Sequence, residues 1–166
     1  MGVLDLPICK RSVALVWEHP EDRTYIPGNM TSLPQDNHTL TRIFKAAAIP
    51  NIADFGGEYF VNMLTGLPNF RRFGHRKIFY EEGNKVSGHN VIMRTWGHFS
   101  LEEGVSEMDC KGVVVINYNR SENSFISKRI RDHVRCLREG NLYIGRFNYL
   151  LMGKLYFVGY FLLSRV

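Results

Sequence analysis

Seven side chains in this sequence carry reactive or hydrogen-bonding groups inside segments that otherwise read as apolar strands: Tyr59, His75, Lys77, Trp96, Tyr118, Asp132 and His133. A charge buried among apolar neighbours is costly unless it is paired. Burial also moves its proton affinity toward neutrality, which suits a general acid or base. His75, Lys77, Asp132 and His133 are therefore the candidate catalytic groups. Tyr59, Trp96 and Tyr118 are the candidate substrate-binding surfaces. Tyr59, Lys77 and Trp96 are expected to share one internal cavity. Each residue also has a plain structural reading. Lys77 can snorkel from a strand to solvent, Asp132 can pair with Arg131 or Arg135, and Tyr59 and Trp96 can be core aromatics.

Other chemistries find no support. The sequence has no glycine-rich phosphate loop, no G-x-S-x-G elbow and no H-E-x-x-H. Its six histidines are His19, His38, His75, His89, His98 and His133. None pairs with another at metal-ligand spacing, although His89 and His98 are placed to face each other across a hairpin. The three cysteines, Cys9, Cys110 and Cys136, make neither a disulfide framework nor a zinc site. Free thiols are expected, which suits a reducing compartment. No metal and no cofactor are expected, while a single axial histidine leaves haem open.

These residues need elements to hold them. Thr39 to Ala48 reads as a helix, with Leu40, Ile43, Phe44 and Ala47 on one face and Pro50 as the stop. Strands are expected at Gly57–Leu64, His75–Tyr80, Lys85-Val86, Asn90–Trp96, Val113–Tyr118, Leu142–Met152 and Leu155–Leu163, with a further short one at Ser12–Trp17. Gly97, Gly104 and Gly112 mark breaks. Strands at short spacing imply a sandwich or barrel. The segment Ile126–Leu137 fits two patterns. As a helix, Ile126, Ile130, Val134 and Leu137 share a face; as a strand, Ile130, Asp132, Val134 and Cys136 do. A short helix or helical turn near 126–135 is the expectation, with Ser124 as its cap. The choice matters, because a strand turns Asp132 inward and His133 outward.

The chain has 166 residues, 45% of them hydrophobic, which fits one globular domain: 1–35 a mixed extension, 36–166 the core. The net charge of +5 arises from 21 basic and 16 acidic residues, clustered at Arg71–Lys77 and Lys128–Arg138. Neither cluster carries a nucleic-acid-binding pattern, so nucleic acid is not an expected partner. The N-terminal residues lack the apolar run of a signal peptide, and Leu6 stands where myristoylation wants Ser or Thr. The sequons at Asn29, Asn37 and Asn119 then read as chance, and a cytoplasmic location is expected. The apolar stretch Leu142–Val166 is interrupted by Arg146, Asn148 and Lys154, so it reads as two strands and not a membrane span.

Three segments resemble a known family. Phe55-Gly56-Gly57-Glu58-Tyr59 resembles the opening motif of the G-x-W-x-G domain proteins, with Tyr59 where tryptophan is usual. Gly74-His75-Arg76-Lys77-Ile78-Phe79 resembles their W-x-G-K-x-F element, and Ile130-x-Asp132-His133-Val134-Arg135 their I-D-H-F-R element. The order and rough spacing agree over residues 40–166. The resemblance implies a mainly β fold, an antiparallel lipocalin-like barrel with a short helix plugging one end. Similar calycin-type proteins include carriers and cofactor-free enzymes. The expectation is a cofactor-independent isomerase, cyclase (pericyclic cyclases included) or lyase that acts on a hydrophobic terpenoid- or polyketide-like substrate inside the barrel. The alternative is a non-catalytic carrier of a lipid, pigment or haem. Asp132 or His133 would reach the cavity, with the other held by Arg131 or Arg135.

Overall fold

The computed structural model describes residues 36–166. The expected strand at Ser12–Trp17, Cys9, His19 and the Asn29 sequon lie outside the described residues. Eight antiparallel strands follow one another around a closed barrel. They are β1 (Gly57–Met63), β2 (Arg76–Glu82), β3 (Lys85–Ile92), β4 (Arg94–Val105), β5 (Gly112–Asn117), β6 (Ile130–Arg138), β7 (Leu142–Leu151) and β8 (Lys154–Arg165). β8 pairs back to β1 and closes the ring. Closure leaves no strand edge, and an eight-stranded barrel has an interior that side chains can nearly fill.

The period of two sorts the strand residues. Tyr59, Val61, Phe79, Phe99, Val114, Ile116, Val134, Tyr143, Phe161 and Leu163 point inward and form the main core. The alternate residues Val113, Val115, Ile144, Tyr160 and Leu162 point outward. They would be wet but for a helix, α1 (Asn37–Ala46), which lays Leu40, Ile43 and Phe44 on them. Asp36 caps α1 by accepting from the Thr39 amide at 2.8 Å. The helix thus begins and ends two residues before the expected span, because Ala47 is already extended and Ala48 bridges to Cys136. It covers the outer wall of β5, β7 and β8 and does not plug a barrel end, a correction to the implied arrangement. The end near Tyr59 and Tyr143 is filled instead by Phe55 and Ile52, just after the helix.

Three other expectations are corrected. The ambiguous segment has only a 3-10 turn at Ser127–Arg129 and is strand β6 from Ile130 onward. Pairing with β5 and β7 on both sides outweighs the helical spacing of its apolar residues. Gly97 and Gly104 lie within β4, and the break falls at Met93. Cys110 is disulfide-bonded, so free thiols no longer support a reducing compartment, although Cys136 is free.

Arg135 joins the helix to the barrel from outside. Its Nη1 and Nη2 donate to Asp109 Oδ2 and Oδ1 at 2.5 and 2.7 Å, and both side chains are fully buried. Its remaining N–H groups donate to the carbonyls of Phe44, Lys111 and Gly112, each at 3.2 Å. All five guanidinium donors are used, one of them on a carbonyl in the last turn of α1. Arg135→Ala would strand Asp109 without its cation, and the expected loss is about 3–5 kcal/mol in urea unfolding. A loss below about 1 kcal/mol would contradict this role.

Candidate functional site

The strand register assembles a polar cluster inside the apolar barrel. Lys77 on β2 pairs with Asn90 on β3, which pairs with Trp96 on β4. Asp132 on β6 sits opposite Ile116, two residues before Tyr118. A bulge in β4 makes this possible. Asn90 pairs with Trp96 but Gly88 with Phe99, so Gly97 and His98 together oppose His89. The extra residue restores inward parity to both Trp96 and Phe99. Gly97 has φ of 60°, and a Cβ there would lie 3.0 Å from Asn90 Nδ2 and 3.2 Å from the Tyr118 ring. The bulge carbonyl of Gly97 accepts from Asn90 Nδ2 at 3.2 Å. On the outer face of the same hairpin the His89 and His98 rings lie 5.7 Å apart, as the spacing predicts.

Asn90 is the hub of the cluster. Its Oδ1 accepts from Lys77 Nζ at 2.8 Å and lies 3.3 Å from His75 Nε2. Its Nδ2 donates to Tyr118 Oη at 3.0 Å. Lys77 Nζ also donates to Tyr118 Oη and lies 3.6 Å from Asp132 Oδ2. Tyr118 Oη donates in turn to Asp132 Oδ2 at 3.5 Å. The rings of Tyr118, Phe99 and Phe161 lie 5.1, 5.3 and 5.7 Å from the ammonium. Two polar atoms of the cluster have no partner, Asp132 Oδ1 and His75 Nδ1.

A cavity of about 80 Å³ opens beside this cluster, lined by His75, Lys77, Asn90, Trp96, Tyr118 and Asp132 and walled by Val61, Phe147 and Phe161. Leu67, Pro68 and Phe70 of the β1–β2 connection form its mouth. The space is smaller than the roughly 150 Å³ that admits a benzene ring. Only the end of a larger molecule fits inside.

Burial sets the protonation of these groups. It draws Lys77 down to about 8, although Asp132 opposes the shift. It pushes Asp132 up to about 6 against the pull of Lys77 and Tyr118. Tyr118 is raised well above the ordinary tyrosine value by burial and by the Asp132 charge. His75 is held neutral, down to about 4, by burial and the nearby Lys77.

Of the sequence candidates, His75, Lys77, Trp96, Tyr118 and Asp132 come together around one cavity. Two do not. Tyr59 faces inward beside Lys77 but belongs to the aromatic plug of the closed end, edge-on to Phe79 and Tyr143, tilted against Phe55 and bonded by Arg165 at 2.7 Å. His133 points outward from β6, the consequence of strand period, and is kept neutral, down to about 4, by burial with Arg146 and Arg135 adding repulsion. Neither arginine orients Asp132. Arg135 holds Asp109, and Arg131 Nη1 donates to the carbonyls of Lys128 and Ile130. Asn90 was missed, because asparagine in a strand gives no chemical signal. Its inward parity with Val86 and Gly88 was the available clue.

No family model matches the chain, and no curated protein does. Among solved structures, a protein from Thermomonospora curvata superposes with a TM-score of 0.48 at 12% identity, covering 79% of this chain and 88% of that one. At that similarity it carries no functional argument.

Burial and charge give a signed pH dependence. Between pH 3.8 and about 6, folded Asp132 holds a proton that the unfolded chain has lost, so stability falls as pH rises. Between about 8 and 10.5, the unfolded chain holds the lysine proton that folded Lys77 has lost, so stability rises with pH. In Lys77→Met the counter-cation is gone, and carboxyl-carbon NMR should show Asp132 titrating above its parent midpoint. An unchanged or lower midpoint would refute the pairing.

Proposed function

We propose that the barrel is a cofactor-independent enzyme that moves a proton on a hydrophobic small molecule whose reactive end enters the cavity. The observation that carries this reading is the asymmetry of Asp132, a residue of the cavity lining: Oδ2 is tied to Lys77 and Tyr118, while Oδ1 is buried without a hydrogen-bond partner. A carboxylate with one anchored and one unpartnered oxygen is suited to act as a positioned general base.

In an isomerase of this design Oδ1 takes a proton from a carbon next to an unsaturated or carbonyl group. The electron pair shifts along the substrate, and the same proton returns at a second carbon, so atoms and electrons balance. Lys77 keeps Asp132 ionised near neutrality. Neutral His75, whose buried Nδ1 has no partner, is the acceptor proposed for a substrate hydroxyl. Val61, Phe147 and Phe161 hold the carbon skeleton in place, and the same confinement would serve a cyclisation or elimination. The substrate class is a terpenoid- or polyketide-like molecule. A second reading, carriage of such a molecule without turnover, draws on the same apolar wall and on the fact that most polar atoms of the cluster already bond to one another.

The probe is a set of long-chain β,γ-unsaturated ketones with the reacting group at an unbranched, acyclic end, followed by the absorbance of the conjugated product. Turnover is expected to rise as Asp132 ionises near pH 6 and to fall as Lys77 deprotonates near pH 8. Asp132→Asn should lose roughly 10²–10⁴-fold in rate in protein that circular dichroism shows to be folded, although leaving Lys77 without its counter-charge lowers the melting temperature. Full activity in Asp132→Asn sinks the reading. Binding of the ketones without turnover by the parent protein would favour carriage.

A further inference from the structure

The strands alternate in direction, so the β1–β2, β3–β4, β5–β6 and β7–β8 connections all emerge at one end of the barrel. That end is the mouth, since the cavity is bordered by the β1–β2 connection. Every one of these four connections presents an apolar side chain to solvent with a basic residue beside it. Phe73 follows Arg71 and Arg72; Met93 precedes Arg94; Phe125 and Ile126 precede Lys128 and Arg129; Met152 sits two residues before Lys154. Met93, Phe125, Ile126 and Met152 are 83%, 72%, 69% and 93% exposed.

Two of these tips are held at a backbone cost. Met93 and Met152 have φ of 63° and 51°, a region that non-glycine residues seldom occupy. In the two-residue turn Met152-Gly153 both φ values are positive, the geometry that favours asparagine at the first position. Packing does not explain a methionine there, because nothing covers it. The basic neighbours are similarly uncommitted. Arg71, Arg72, Arg94, Lys128, Arg129 and Lys154 form no ion pair among the described residues. The Arg72 and Arg129 guanidinium groups lie over the rings of Phe73 and Phe125 at 4.6 and 4.4 Å. The carboxylate within these four connections is Glu122, which Arg120 holds at 3.2 Å. The opposite end is mixed in charge, with Glu81, Glu107 and Glu139 beside Lys85, Lys111 and Arg138 in or next to its turns, while Glu82 pairs with Arg120 of the β5–β6 connection at 3.0 Å.

We propose that the mouth end of the barrel docks on an anionic lipid surface. The four apolar tips enter the headgroup layer, and the basic residues beside them face the lipid phosphates, the two contributions that add in interfacial binding. Charge complementarity selects an anionic surface, and the exposed methionines, which a phosphate backbone alone would not require, select lipid over nucleic acid. Docking would place the cavity mouth against the bilayer, but the inference rests on the loops and stands whether or not the cavity is catalytic.

The test is sedimentation of the protein with vesicles of three parts phosphatidylcholine to one part phosphatidylserine, and with vesicles of phosphatidylcholine alone. Binding to the anionic vesicles, weakened by added salt, is the expected result. The double variant Met93→Asn, Met152→Asn should bind roughly tenfold more weakly at an unchanged or higher melting temperature, since asparagine tolerates both turns. Val105→Asn at the far end should bind as the parent does. Equal sedimentation with both vesicle types, undiminished binding by the double variant, or complete displacement by duplex DNA would each overturn the proposal.

Discussion

Much of this barrel is arranged around one buried pair of opposite charges. Lys77 and Asp132 lie 3.6 Å apart with side-chain exposures of 5% and 1%. Removing two such charges from water costs several kcal/mol per ion, and their attraction returns that only when hydrogen bonds complete the shell. Here the shell is incomplete on one side. Asn90, the Tyr118 hydroxyl and the rings of Tyr118, Phe99 and Phe161 satisfy the ammonium, while one carboxylate oxygen is left without a donor. An interior built for stability alone would place apolar side chains at both positions.

Several features of the fold follow from holding that pair. The β4 bulge brings Gly97 close enough to bond Asn90 and leaves room for the Tyr118 ring. The closed end is packed with Phe55, Tyr59, Phe79 and Tyr143, and the cavity lies toward the mouth. A second buried pair, Arg135 and Asp109, contrasts with the first. Both Asp109 oxygens are bonded and every guanidinium donor is used, so that pair is a clasp between helix and barrel. Two aspartates in similarly dry places are thus distinguished by what their second oxygen does.

Most of the architecture was legible in the sequence. β-rich apolar runs bounded by turn residues marked β1, β2, β5, β7 and β8, and the spacing of Leu40, Ile43 and Phe44 marked α1. Lys77 and Asp132 stood out because charges in apolar strands need a reason. Three things were not legible. β6 was ambiguous because Ile130 and Val134 satisfy both periods, and only its neighbours in the sheet decide. The helix was expected at a barrel end, but the outward Val113, Ile144 and Leu162 needed a cover, a requirement visible only once the inward face was known. The partnership of Arg135 with Asp109 spans 26 residues and depends on a loop geometry that no local pattern encodes.

The most direct measurement of whether the Lys77–Asp132 pair serves function and not folding is the unfolding free energy of the double variant Lys77→Met, Asp132→Leu. If the pair is retained for chemistry, replacing both charges with apolar side chains should leave stability within about 1 kcal/mol of the parent or raise it. A loss of about 3 kcal/mol or more would mean that the pair holds the barrel together, and would contradict its reading as a site.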